Sequence, residues 1–182
     1  GGSSGVKVLK QGFNVDPILQ KQAHCISTMT YNEYWQVVDA GLSPSDLTVY
    51  KYEDQGVATL EDGLYVMEDR LNDTNFVNLM ARFLKASKRG WEYSGWYPDR
   101  AAAIVLENDD TGAQTEKHQR RMMREINRLV SVGEQSNGIG FLEPADYNRT
   151  VKVLLASDSD PVITKEPKGA WTHKVYEAMN NL

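Results

Sequence analysis

Four neighbouring residues combine the side-chain types that hold small polar molecules: Thr30, Tyr31, Asn32 and Glu33. Thr30 and Asn32 offer hydrogen-bond donors and acceptors, and Tyr31 offers an aromatic face. The carboxylate of Glu33 can accept from an amino group on a heterocycle or contact a cation. These residues lie where a short apolar run, residues 25–29, gives way to a helical pattern. In an open parallel sheet, ligands bind beyond the carboxyl ends of strands, beside the N–H groups of the next helix. The junction therefore predicts a binding site for a small polar molecule, including an aromatic one.

The same residue types also begin helices that bind no ligand. Thr30 or Asn32 can cap the helix that follows, and Glu33 is then favourably placed in its first turn. The spacing of these residues leaves both interpretations open.

The composition of the chain favours a soluble binding or catalytic domain over several other classes. Its 182 residues suffice for one substantial domain or two small lobes. A net charge of −5 argues against nucleic acid as a partner. No apolar run approaches the roughly 20 residues of a membrane span. "GGSSG" (1–5) is interpreted as a linker or loop rather than a signal peptide, and the single Cys25 excludes an intrachain disulfide.

The first third of the chain alternates strand and helix signals. Strands are predicted at residues 6–9, 25–29 and 47–52. Asp16 and Pro17 predict a helix start between the first two strands, and this helix is expected to run through residue 23. A βαβαβ order with short connections indicates a parallel sheet.

The remainder of the chain is predicted to be mostly helical. An irregular acidic stretch, residues 53–69, contains one further strand candidate at 64–67. Apolar residues then recur at helical spacing. These patterns lie at residues 76–84, 101–106, 122–130, 147–155 and 171–179. Four strands are fewer than the five or six of an average sheet, so we expect the chain to be part of a larger fold.

Other candidate constellations predict no catalytic or metal site. His24, His118 and His173 lie on different predicted elements and lack the spacing of zinc ligands. The basic run "KHQRRMMR" (117–124) is interpreted as the solvated side of an amphipathic helix rather than a nucleic-acid surface. We expect no cofactor.

Four segments of the chain carry a resemblance to a known family. They are "GVKVLKQGFNVDPILQKQAHCISTMTYNEYW", "YEDQGVATLEDGLYVMED", "DTGAQTEKHQRRMM" and "DPVITKEPKGAWTH". They resemble periplasmic substrate-binding proteins of ABC importers, in the branch similar to fungal thiamine-pyrimidine synthase and to bacterial pyrimidine-precursor and sulfonate binders. The resemblance implies two α/β lobes joined by crossing strands, with the ligand between them, and implies that this chain is the C-terminal portion. Residues 6–55 correspond to part of lobe two, 56–62 to the crossing or hinge, and 63–182 to a helix-rich segment returning to lobe one.

The resemblance also implies which residues line the ligand cleft. Glu33 matches an acid of the pyrimidine-precursor binders at the strand-to-helix junction. The full set of ligand-binding residues implied is Thr28, Met29, Thr30, Tyr31, Asn32, Glu33, Tyr52, Gln55 and Gly56.

The function implied is that of a non-enzymatic solute-binding component of an ABC import system. It would bind a small polar or heteroaromatic molecule, such as a thiamine pyrimidine precursor, in the periplasm and deliver it to a membrane permease. The alternative is a thiamine-pyrimidine biosynthetic enzyme of the same fold, whose cysteine-rich motif is represented here only by Cys25. Because an incomplete sheet exposes unpaired edges, self-association is also expected.

Overall fold

The computed structural model describes residues 5–131, 137–156 and 162–182, and the regular structure in them is helical. Short 3-10 helices lie at Pro44–Asp46, Glu53–Gln55 and Glu68–Asn72. The α-helices are α1 (Asp16–Leu19), α2 (Glu33–Asp39), α3 (Thr74–Trp96), α4 (Pro98–Glu107), α5 (Glu116–Ser131), α6 (Pro144–Leu155) and α7 (Lys174–Asn180). No helix in this part of the chain is both long enough and apolar enough to span a bilayer.

The predicted α/β fold with a parallel-sheet lobe is wrong, because the described residues contain no β-strand. The segments concerned are residues 6–9, 25–29, 47–52 and 64–67. A strand takes its backbone hydrogen bonds from a neighbouring strand, and a parallel sheet needs cover on both faces. These segments form no regular sheet structure and are poorly covered, with Val8 and Tyr65 each 82% exposed. Short apolar runs of this kind indicate strands. A strand also requires a neighbouring strand for its backbone hydrogen bonds, and the described residues contain none.

One side chain takes over the role that a neighbouring strand would have for residues 25–29. The Nε2 atom of Gln11 donates to the carbonyl oxygen of Ser27 at 2.9 Å, and its Oε1 atom accepts from the N–H of Ser27 at 3.1 Å. Both backbone polar groups of Ser27 are thereby satisfied without a sheet.

The longer helices predicted from apolar spacing are confirmed. Helices α3, α5 and α6 cover the predicted patterns, and α4, which begins at Pro98, covers the pattern at 101–106. Helix α2 ends just before Gly41, whose φ of 105° is a backbone conformation that glycine adopts without steric cost. Helix α1 is shorter than predicted, because the chain leaves the helix at Gln20 and Lys21 has a φ of 57°.

The chain separates into two compact units, each built from two stretches of sequence. The first unit comprises Gly1–Val49 and Trp91–Val132, and the second comprises Tyr50–Gly90 and Gly133–Leu182. The boundaries predicted at residues 56–62 stay a prediction.

The core of the first unit lies between α4 and α5. Ala101 and Ala102 of α4 are buried against Met123 of α5, and Ile126 packs on the same cluster. The small alanine side chains let the two helices approach closely. At the end of α3, the buried Ser94 hydroxyl lies 2.7 Å from Oδ1 of Asn127, whose Nδ2 donates to the carbonyl oxygen of Ser94 at 2.7 Å. This pair fixes α5 from a second side.

The second unit is held by apolar helix faces and by backbone hydrogen bonds to extended segments. Val77, Ala81, Val151, Val175 and Met179 are buried. In α6, the Thr150 hydroxyl accepts from the N–H of Leu60 at 2.9 Å, and Nε of Arg149 donates to the carbonyl oxygen of Ala58 at 2.9 Å. The segment that was predicted to cross between lobes is thus attached to α6.

Candidate ligand-binding site

The predicted site begins with a tight turn that leads into α2. The N–H of Asn32 donates to the carbonyl oxygen of Met29 at 3.1 Å, which closes the turn. Asn32 then occupies the N-cap position of α2, and Glu33 is the first helical residue. The side chains of residues 30–33 are therefore displayed from a turn rather than from the end of a strand.

The carboxylate of Glu33 stabilises this turn by reaching back along the chain. Its Oε2 atom accepts from the N–H of Met29 at 2.9 Å, and its Oε1 atom accepts from Nδ2 of Asn32 at 3.1 Å. An ionised carboxylate has about four lone-pair sites. Two are used by these contacts, so Glu33 keeps acceptor capacity for a further donor.

Asn32 is the centre of the polar network at the start of α2. Its side chain makes no capping hydrogen bond to α2, so the interpretation of Asn32 as a side-chain cap is wrong. Its Oδ1 atom instead accepts from Nε2 of Gln36 at 3.1 Å and lies 2.8 Å from Nε2 of His118. The network therefore joins α2 to α5.

The orientation of the Asn32 amide indicates that Nε2 of His118 is a hydrogen-bond donor. Because the ionised Glu33 carboxylate can only accept, the atom of Asn32 that faces it is the donor Nδ2. The opposite atom, Oδ1, is then an acceptor, so Nε2 of His118 carries a hydrogen. In the neutral imidazole the remaining nitrogen, Nδ1, is an acceptor. The site thus combines a carboxylate, an amide and an imidazole.

Two ion pairs hold α5 beside α2 and so position His118. Asp39, at the end of α2, accepts from Nζ of Lys117 at 2.8 Å and from Nη1 of Arg121 at 3.0 Å. The hydrogen bonds from Lys117 and then Arg121 hold the pKa of Asp39 below its usual value. Because Lys117 and Arg121 flank His118 on α5, these contacts fix the register of α5 against α2.

The predicted site residues divide between the two units. Thr28, Tyr31, Asn32 and Glu33 are half-buried in the first unit, while Met29 and Thr30 are exposed there. Tyr52, Gln55 and Gly56 belong to the second unit and are exposed. They lie at the Glu53–Gln55 3-10 helix, which ends at Gly56 with a φ of 73°. The ligand-binding role of all nine residues stays a prediction.

Sequence reasoning missed two members of the network, Gln36 and His118. Gln36 follows Asn32 by four residues, a spacing that places both side chains on one helix face. This signal was available in the sequence. His118 lies 86 residues after Asn32, and no pattern in the sequence connects them. From the sequence, His118 is interpreted only as a candidate metal ligand and as part of the basic run 117–124.

The histidine, cysteine and acidic side chains of the described residues are the groups that bear on metal and thiol chemistry. No three His, Cys, Asp or Glu side chains gather there in a way that could hold a metal ion. Cys25 is exposed and its thiol is free.

The chain resembles a known protein family over its first part. A family model described as NMT1/THI5 like matches residues 1–101, which is more than half of the 182 residues and includes all nine predicted site residues. No curated protein matches the chain, and no solved structure matches it.

Proposed function

Because the chain belongs to the NMT1/THI5-like family, which covers ABC-type substrate-binding proteins and thiamine-pyrimidine synthases, we propose that it is a solute-binding component of an ABC import system. In this proposal it binds a small heteroaromatic molecule that carries amino groups, such as a thiamine pyrimidine precursor. It works in the periplasm and delivers the molecule to a membrane permease. It carries out no reaction on the molecule.

The observation that carries the proposal is the network at the start of α2, within the region that matches the family. Glu33 retains acceptor capacity beyond its contacts with Met29 and Asn32. Two aromatic residues, Tyr34 and Trp35, follow it in the sequence, and their rings pack edge to face with centroids 5.1 Å apart. A segment that offers both a carboxylate and aromatic side chains suits an aminopyrimidine, whose amino group donates hydrogen bonds and whose ring is apolar.

The test is calorimetric titration of the protein with an aminopyrimidine and, separately, with an alkyl sulfonate. We expect the aminopyrimidine to bind and Glu33→Gln to weaken its binding by about 1–3 kcal/mol, the range for a lost charge-assisted hydrogen bond. Tighter binding of the sulfonate would contradict the substrate class proposed.

The enzyme alternative is distinguished by the fate of the bound molecule. Mass spectrometry of protein and ligand after prolonged incubation is expected to recover the aminopyrimidine unchanged. A new product, or a covalent adduct on the chain, would favour a biosynthetic enzyme instead.

A further inference from the structure

A cleft outside the predicted site lies along one side of α5 in the first unit. It has a volume of about 450 Å³. It is lined by Trp35 of α2 and, on α5, by the acidic Glu125 and five cationic side chains: Lys117, Arg120, Arg121, Arg124 and Arg128. We refer to it as the basic cleft. The cleft is open to solvent, and its volume is comparable to that of pockets that hold small molecules.

The spacing of the cations concentrates positive charge on one helix face. Lys117, Arg121, Arg124 and Arg128 follow one another at intervals of four, three and four residues, so they share a single face of α5. Like charges at this spacing repel one another and destabilise a helix unless anions lie close by. Negative charges close to the helix are therefore needed to offset this repulsion.

Nearby carboxylates neutralise these cations only in part, because two of the carboxylates each contact two cations. Asp39 contacts both Lys117 and Arg121, at 2.8 and 3.0 Å. In the same way Asp99 contacts Arg120 at 3.2 Å and Arg124 at 2.8 Å.

When the two other acidic residues near the cleft are included, the cations still outnumber the carboxylates. Glu116 contacts Arg120 at 2.8 Å, and Glu125 contacts Arg128 at 2.8 Å. The five cations thus contact four carboxylates in the described residues. Each guanidinium has five N–H groups, which is more than these contacts use. Exposed ion pairs are weak, so an incoming anion can take a share of their donors.

Trp35 gives the cleft an apolar and aromatic wall. The guanidinium carbon of Arg121 lies 4.7 Å from the centroid of the Trp35 ring, a cation–π contact that holds the planar fork in place. The Nε1 atom of Trp35 is buried and has no hydrogen-bond acceptor in the described part of the chain.

We propose that the basic cleft is a binding site for a small oxyanion, namely phosphate or a phosphate ester with an apolar group. Arg121, Arg124 and Arg128 bind the oxygens, and Trp35 contacts the apolar group. Guanidinium groups suit phosphate because they donate two parallel hydrogen bonds. This site shares Trp35 with the segment of the proposed function but uses neither Glu33 nor the turn before α2, so it does not depend on the proposed transport function.

Titration calorimetry in low-salt buffer tests the site with three probes: inorganic phosphate, phenyl phosphate and phenol. We expect both phosphates to bind, phenyl phosphate more tightly because its ring contacts Trp35, and we expect phenol not to bind. Equal affinity for the two phosphates would identify free phosphate as the ligand. Binding is expected to weaken strongly at high salt. Absence of phosphate binding at millimolar concentration would overturn the proposal and leave α5 with an ordinary solvated face.

Variants locate the binding within the cleft. Arg121→Gln and Arg128→Gln are each expected to lower the affinity for phenyl phosphate about tenfold or more, as for the loss of a charge-assisted hydrogen bond. The Arg128 side chain is 73% exposed, so its replacement leaves the fold intact even if that of Arg121 does not. The matched control is Arg100→Gln on α4, which removes an exposed arginine paired with Glu107 outside the cleft. Unchanged affinity in both cleft variants, or an equal loss in the control, would refute the assignment.

Discussion

The Nε2 atom of His118 lies 2.8 Å from Oδ1 of Asn32, a residue 86 positions earlier in the chain, and this contact joins α5 to the start of α2. Asn32 starts α2 in the region that matches the family model, while His118 lies in α5 beyond it. The predicted ligand-binding turn is therefore supported by a helix outside the matched region.

Removal of the His118 imidazole should loosen this connection without unfolding the first unit. Asn32 Oδ1 keeps its hydrogen bond from Gln36, so we expect His118→Ala to lower the free energy of unfolding by about 1 kcal/mol. Urea denaturation measures this change. His118→Gln, which restores a side-chain donor, should recover part of it, and His24→Ala at an exposed position is the control. A loss equal to that of the control would mean that the contact contributes nothing.

Replacement of Glu33 by glutamine separates its role in the turn from its role in binding. The amide has only one accepting oxygen, so one of the two hydrogen bonds to Met29 and Asn32 is lost. We expect the free energy of unfolding to fall by about 1 kcal/mol. The affinity for an aminopyrimidine should fall further than that, by up to about 3 kcal/mol. A large loss of stability with unchanged affinity would make Glu33 purely structural.

The ion pairs of Asp39 predict a dependence of stability on pH. Lys117 and Arg121 hold its pKa below the ordinary value in the folded protein. A carboxyl of this kind stabilises the fold above its unfolded pKa of about 4, and this stabilisation is lost as the pH falls through the lower, folded pKa. At pH 7, Asp39→Asn should therefore lower the free energy of unfolding by up to about 1 kcal/mol.

The difference between wild type and Asp39→Asn should disappear in acid. Denaturation curves measured from pH 7 downward are the test, with Asp110→Asn at an exposed loop position as a control for the loss of one charge. A difference that persists unchanged at the lowest pH would contradict the ion-pair explanation.

Two glycines lie in one loop of the second unit. Replacing each by alanine compares the cost of backbone strain alone with the cost of strain and a steric clash together. Gly138 and Gly140 have φ values of 74° and 94°, which disfavour other residues. A Cβ atom on Gly140 would lie 3.0 Å from Cδ1 of Leu84, while a Cβ atom on Gly138 meets nothing within 4 Å. We expect Gly138→Ala to cost about 1 kcal/mol of stability and Gly140→Ala to cost more. Thermal denaturation that ranks the two variants in the opposite order would show that the loop rearranges.

The exposed extended segments predict that the chain associates with itself. Val8, Tyr65 and Met67 are 82%, 82% and 73% exposed on segments without a strand partner in the described residues. Such segments recruit further chains. Light scattering at micromolar concentration should detect association, and Tyr65→Ser with Met67→Ser should reduce it. A monodisperse monomer would contradict this expectation.

The sequence by itself determined the long helices and several of their ends. The 3.6-residue spacing of apolar side chains is a local property, and the structure confirms it in α3, α5 and α6. Pro98, Pro144 and Gly41 act on their own backbone, so they mark helix boundaries whatever surrounds them.

Only the tertiary structure decided whether the short apolar runs became strands and which side chains meet at the site. A strand needs hydrogen bonds from a second strand, and residues 25–29 instead satisfy Ser27 through the side chain of Gln11. The contact between Asn32 and His118 depends on the packing of α5 beside α2, which the charges of Asp39, Lys117 and Arg121 help to fix. Such contacts join residues far apart in the chain, and no local pattern encodes them.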